Sequence, residues 1–193
     1  MDARPSSGPW MESGREAGLV LSAQRGELPA LFELLRHYQR PLWRLCFALT
    51  RHRGEAELLM QEASRRAYRN LKQTKVGQPF FPWLARITRT LAVAQARRRA
   101  GDSRNAPPVR PNGDPWEAGA HGAHDMTYEQ RVLAAFADLS TDEQMLLALR
   151  LFERLQYADI ATVVELPLTA TMHRIATLRE RIEQGLYGQE KAA

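Results

Sequence analysis

The sequence predicts an all-α protein: two small helical domains joined by a flexible linker. Three observations carry this. Apolar residues recur at three- and four-residue spacing through the aliphatic stretches, and none of these stretches alternates as a strand would. A segment rich in proline and glycine divides them into two groups. The length, 193 residues, has room for two such domains or for one of ordinary size.

Composition narrows the class. With 44% hydrophobic and 25% charged residues the chain is expected to fold and to be soluble. A formal net charge of +5 and a pI near 9.8 favour an acidic partner such as nucleic acid. The single cysteine, Cys46, excludes an intramolecular disulfide and a cysteine-based zinc site. It lies in Leu45-Cys46-Phe47 and reads as a reduced core thiol. No run reaches the roughly 18 apolar residues of a membrane span. The N-terminus lacks the basic-then-apolar order of a secretion signal, so a cytoplasmic location is expected, without cofactor or metal.

Residues 1–15, rich in Gly, Pro and Ser, are expected to be a disordered tail. A short helix is expected around 16–25. From Glu27 onward Leu28, Leu31, Leu35, Tyr38, Leu42, Leu45 and Leu49 keep helical spacing, and Pro41 should kink or split that element. Gly54 opens a helix to about Leu71, with Met60, Ala63, Ala67 and Leu71 inward. After a polar loop at 72–78, Pro79 and Pro82 suit the entry to a helix that runs to about Arg99. Its inward residues are Leu84, Ile87, Leu91 and Ala94; Trp83, Arg86, Thr90 and Arg97 fall on the other side, with Arg89 beside them.

That last helix is the chemically distinctive one. From Trp83 to Arg104, along it and just beyond, the chain has six arginines (86, 89, 97, 98, 99 and 104) against one acid, Asp102. Arginines neutralise phosphates, and an aromatic ring at the start of such a face can stack on an unpaired base. A solvated basic helix with Trp83 in the core is the plainer reading of the same residues.

Residues 101–126 contain Pro107, Pro108, Pro111 and Pro115 and almost no aliphatic side chain, so they cannot offset their chain entropy and read as the linker. A second domain, 127–187, opens on a capping box at Thr127–Gln130. Ser140–Glu143 is another, ahead of Met145, Leu146 and Leu149. A short helix at 157–164, a turn at Glu165-Leu166-Pro167 and a final helix from Leu168 to Leu186 follow. In the final helix Met172, Ile175, Leu178, Ile182 and Leu186 are expected inward, and Thr169, Ala170, His173, Arg174, Thr177 and Arg181 outward. Two helices joined by a turn, the second carrying polar and basic residues near its start, describe a helix-turn-helix.

In this order and spacing the residues resemble the extracytoplasmic-function sigma factors of bacterial RNA polymerase, over roughly 20–99 and 127–185. Leu31-Phe32-Glu33-Leu34-Leu35-Arg36-His37-Tyr38 looks like the opening of sigma region 2, Glu55–Ala63 like its clamp-docking segment, and Pro82–Ala92 like the stretch that opens and reads the −10 promoter element. Leu155–Ala161 with Leu166-Pro167 and Arg174 is similar to the helix-turn-helix of region 4, which reads the −35 element. The resemblance implies a three- to four-helix region 2 at 16–100. It implies docking on core polymerase, at its clamp and flap, with Glu57, Leu58, Met60, Gln61 and Glu62 as the clamp contacts. Trp83, Arg86, Arg89, Thr90, Gln95, Arg97 and Arg98 would meet the −10 element, and Thr169, Ala170, His173, Arg174, Thr177 and Arg181 the −35 element. An anti-sigma factor is a further implied partner. The chain departs from the family at Leu58, Thr90, Ala94, Glu165 and Thr169-Ala170-Thr171, which leaves a polymerase- or DNA-binding regulator that does not itself initiate as the alternative.

An enzyme is not indicated. The five histidines (37, 52, 121, 124 and 173) show no metal-ligand spacing, and there is no P-loop, G-x-G-x-x-G or G-x-S-x-G. An ordinary helix-turn-helix repressor would leave residues 55–98 without a role.

Overall fold

The computed structural model describes residues 10–75, 77–102, 136 and 138–187. These hold eight α-helices and no strand. We number them α1 (Ser13–Gln24), α2 (Leu28–His37), α3 (Gln39–Thr50), α4 (Arg53–Asn70), α5 (Phe80–Asp102), α6 (Thr141–Leu147), α7 (Tyr157–Val164) and α8 (Leu168–Tyr187). The first five form one lobe and the last three a second. The capping box expected at 127–130 and the linker beyond Asp102 lie outside the described residues.

Residues 10–15, expected within the tail, belong to the fold. α1 begins at Ser13, and Met11 ahead of it is buried with its N–H donating to the Tyr38 hydroxyl at 3.3 Å. Trp10 packs its ring on Phe81 at 5.4 Å. A tryptophan and a methionine carry enough apolar area to hold this segment against the core.

The predicted break near Pro41 occurs three residues earlier. A proline inside a helix lacks an N–H and its ring crowds the carbonyl four residues back, here that of His37. The chain resolves this by ending α2 at His37, passing through Tyr38 (φ −93°, ψ 7°) and placing Pro41 in the first turn of α3, where no donor is needed. Tyr38 N–H still bonds the Leu34 carbonyl and its own carbonyl accepts from Leu42 N–H. Tyr38 becomes the hub of the first lobe, buried, stacked on Phe80 and Phe81, and donating its hydroxyl to Glu16 at 2.5 Å.

In α4 the buried residues are Ala56, Leu59, Ala63 and Ala67, so Leu59 takes the core position expected for Met60, which is half-buried. Cys46 is fully buried, and burial pushes its thiol up to about 12. At about pH 8 the thiolate is then on the order of one part in ten thousand, and a water-soluble disulfide reagent should leave the folded protein untouched and titrate one thiol only in denaturant. Rapid labelling of the native chain would contradict this burial.

Within the second lobe the capping box expected ahead of Met145 forms at Ser140. Its hydroxyl accepts from Glu143 N–H while the Glu143 carboxylate accepts from Ser140 N–H, a complete capping box. Desolvation pushes Glu143 upward, but the bonds from Ser140 and the nearby Arg181 outweigh it and hold the carboxyl below its ordinary range. Its contribution to stability is therefore present at neutral pH and is lost as pH falls through the lowered folded value. After α6 the helix widens into a π-helical turn, Ala148–Phe152. Arg150 stacks over the Tyr157 ring, 4.3 Å from its centroid, and donates to the Leu155 carbonyl, tying that turn to α7. In α8 Ile175 and Leu178 are buried and Ile182 half-buried as expected, but Met172 is exposed and Thr171 takes the inward position beside the turn. The Thr171 hydroxyl donates to the Pro167 carbonyl, so the small β-branched residue fits where the helix meets the turn.

The two lobes share one hydrophobic core. α5 lies between them, against α3 and α4 on one side and α6 and α7 on the other.

Candidate nucleic-acid and polymerase interfaces

Being covered from two sides explains why α5 buries more than a single apolar stripe. Leu84, Ala85, Thr88 and Ala92 are buried, Ile87 and Leu91 half-buried, and Ala94, expected inward, is exposed. The buried Thr88 hydroxyl is satisfied by the Leu84 carbonyl. Trp83 is half-buried with its ring 5.4 Å from that of Phe80, which makes it a rim residue of the first lobe's core.

The basic residues of α5 divide into two sets. Arg97 and Arg98 are exposed, Thr90 is exposed with its hydroxyl on the Arg86 carbonyl, and Gln95 is half-buried. Arg86 and Arg89 point to the second lobe. Arg89 forks onto Asp142, Nε to Oδ1 at 2.8 Å and Nη2 to Oδ2 at 3.2 Å, and its side chain keeps only 20% exposure. Arg86 pairs with Glu165 at 2.5 Å, and the same carboxylate lies 3.7 Å from Arg89. Arg99 pairs with Glu55 of α4. A third pair across the lobes joins Arg44 of α3 to Glu153 through two bonds, 2.8 and 2.7 Å. The Glu153 side chain is fully buried, and its bond to Arg44 raises the guanidinium further above its already high value against the opposing effect of burial.

The docking residues expected on α4 share one outer face. His52 caps the helix by accepting Glu55 N–H through Nδ1. Leu58 is 60% exposed, Gln61 exposed and Met60 half-buried. Glu57 pairs with Arg53 and Glu62 with Arg65 within their own helix. Met60 and Gln61 line an open cleft of about 580 Å³ between α2 and α4, with Phe32, Leu35 and Arg36 on its opposite wall. Phe32 is 63% exposed. Its offset from the core residues Leu31 and Leu34 on the same helix is the sequence signal that it faces outward.

On α8 the expected contact residues Thr169, His173, Arg174 and Thr177 are exposed and Ala170 is half-buried. Arg181 is exposed but pairs with Glu143 at 3.1 Å, which ties α8 to the capping box. Leu168 and Met172 add exposed apolar surface beside them.

Comparison with known proteins agrees with this geometry. Residues 34–101 match the sigma-70 region 2 family. The chain is 30% identical over 182 residues to the RNA polymerase sigma-H factor of Pseudomonas aeruginosa, covering 87% of this chain and 92% of that protein. The chain belongs to the extracytoplasmic-function sigma factors of RNA polymerase. The sigma-E factor of Haemophilus influenzae is another relative, 28% identical over 183 residues, with 87% of this sigma factor and 93% of that one covered. Two solved structures share the fold. The sigma factor RpoE in complex with the anti-sigma factor NepR from Bartonella quintana superposes with a TM-score of 0.65 at 21% identity, over 80% of this sigma factor and 94% of that chain. CnrH in complex with the cytosolic domain of CnrY gives 0.68 at 18%, over 90% and 98%. No helix among the described residues of this sigma factor is long and apolar enough to cross a membrane, and no group of His, Cys, Asp or Glu among them could hold a metal ion.

Proposed function

We propose that this chain works in the cytoplasm as an alternative sigma factor, directing core RNA polymerase to a set of promoters and opening them. Similarity over nearly its full length to named sigma factors carries this reading. The α4 face, with Leu58, Met60 and Gln61 flanked by Glu57 and Glu62, docks on the polymerase clamp. The cleft wall of α2 extends that apolar contact through Phe32. α5 captures the melted −10 strand: Arg86, Arg89, Arg97 and Arg98 hold phosphates, and Thr90, Gln95 and Trp83 lie nearest the bases. An unpaired base exposes edges that a duplex conceals, so melting and reading occur together. It needs no catalytic residue, because unstacking costs a few kcal/mol per step and contacts to the extruded strand offset it.

α8 enters the major groove of the −35 element. Arg174 is the guanine reader, since a bidentate arginine–guanine contact contributes about 1–3 kcal/mol of discrimination. Thr169, Ala170, His173 and Thr177 flank it, and Arg181 touches the backbone. The second lobe also meets the polymerase flap, and an anti-sigma factor holds the protein inactive, as the anti-sigma factor NepR accompanies the sigma factor RpoE of similar fold.

Run-off transcription with purified core polymerase and a genomic fragment library tests this. Transcripts that require the protein are expected. Tight core binding without transcripts would overturn initiation and leave a polymerase-binding regulator.

A further inference from the structure

No acid stands between Glu62 and Asp102, and the cations of that interval begin well before α5. Arg65, Arg66 and Arg69 lie in the last turns of α4, and Lys72 and Lys75 follow in the turn that leads to α5. All five are exposed. Arg65 pairs with Glu62 at 3.1 Å, and no carboxylate among the described residues pairs with the other four. Tyr68 stands among them with 58% exposure. We propose that this end of α4 is a second single-strand track, on which Tyr68 stacks an unpaired base while Arg65, Arg69 and Lys72 hold phosphates. The inference rests on the reading of α5 as the surface that captures the melted strand, and it carries that strand onward over the α4–α5 turn.

Three features favour an unpaired strand over a plain solvated face. Arg65, Tyr68, Arg69 and Lys72 recur at helical spacing, so they share the side of the chain opposite the buried Ala63, Ala67 and Leu71. That stripe is about 10 Å long and sets an exposed ring between cations. An unpaired nucleotide presents the two matching groups, a free π-face and a phosphate, whereas a duplex keeps its base faces stacked. The charge of this outer side also reverses along α4. Leu58 and Gln61 lie between Glu57 and Glu62 in the first part, assigned to polymerase, and every charged residue of the helix from Ala63 on is an arginine. A surface that attracts those carboxylates repels these guanidinium groups, so the one side of the helix serves two partners of opposite charge. Finally, the junction with α5 is braced. Gln24 of α1 donates through Nε2 to the carbonyls of Leu71 at 3.1 Å and Thr74 at 2.5 Å, which fixes the turn between the two strand-binding surfaces.

The track makes strand length matter. A short strand engages α5 alone, and a longer one gains affinity by crossing the braced turn onto α4.

The test uses holoenzyme assembled from the full chain and core polymerase, with core polymerase alone as the blank. The probes are two fluorescein-labelled single DNA strands of mixed sequence, about 8 and about 20 nucleotides long. Wild-type protein is expected to bind the longer strand more tightly. Tyr68→Ala should weaken binding of the longer strand about fivefold or more and leave the shorter within about twofold, while Tyr68→Phe and Tyr68→Trp, which keep a ring, should bind as wild type. Arg69→Ala/Lys72→Ala should flatten the slope of log K against log salt for the longer strand by about 1.4. Retained circular dichroism establishes that each variant is folded. An equal loss on both strands, or no loss on the longer one, overturns the track. Weaker core-polymerase binding by Arg69→Ala/Lys72→Ala, with strand binding by the assembled holoenzyme unchanged, gives the patch to polymerase and overturns it as well. The Arg86→Ala/Arg89→Ala variant separates this failure from that of α5. Short-strand binding that falls away in it keeps α5 as the capture surface; short-strand binding that survives removes that reading, whatever Tyr68→Ala does to the longer strand.

Discussion

Replacing Arg86 and Arg89 together by alanine is expected to abolish promoter-specific transcripts while leaving polymerase docking intact. Docking is separate because its residues belong to α4, where Leu58 and Gln61 are exposed, and neither arginine is among them. The loss should follow counterion release. Each phosphate neutralised on a single strand contributes about 0.7 to the slope of log K against log salt, so removing two should flatten that slope by about 1.4. A double variant that still binds the strand with the wild-type salt slope would place the phosphates elsewhere on α5, with Arg97 and Arg98 the remaining cations of its exposed side.

Phe81→Ala is expected to cost about 3–5 kcal/mol of unfolding free energy, roughly a fifth or more of what a domain of this kind possesses. Phe81 has no solvent exposure and its ring stands 5.4 Å from Trp10 and 5.6 Å from Tyr38. Removing it leaves a cavity at the junction of the N-terminal segment, the α2–α3 break and the start of α5. These elements converge from distant parts of the chain and cannot collapse together without disturbing Tyr38 and its bond to Glu16. Urea unfolding followed by far-UV circular dichroism measures the change. A cost under about 1 kcal/mol would mean that the aromatic cluster is not the organising core of the first lobe.

Helix positions were legible because they depend on neighbours along the chain. The spacing of Ile160 and Val163, of Ile175 and Leu178, and of Ala63 and Ala67 marks faces that the structure buries. The Ser140–Glu143 capping box and the turn at Glu165–Pro167 are local motifs readable from four and three residues respectively. The errors share a cause as well. Leu59 and Met60 are adjacent apolar residues, and only the packing of α4 on α3 and α5 selects between them. Ala94 is small enough to fit either environment, and the helix turns it outward near the end of α5. Apolarity alone puts Met172 in the core, but the tight turn ending at Pro167 brings Thr171 inward and leaves the methionine at the surface.

By itself the sequence determined that this protein is helical, where its helices begin and break, that it belongs with the sigma factors, and which helix carries the excess of arginine. Those properties follow from local spacing, capping chemistry and motif order. Only the tertiary structure decided what Arg44, Arg86 and Arg89 face: their partners lie 109, 79 and 53 residues away along the chain, counting Arg86 to Glu165 as the difference of their numbers. An arginine's charge is written in the sequence, but whether a carboxylate or water meets it depends on how two separately folded surfaces pack. Here the shared apolar core sets that packing, and the three pairs lie along its edge.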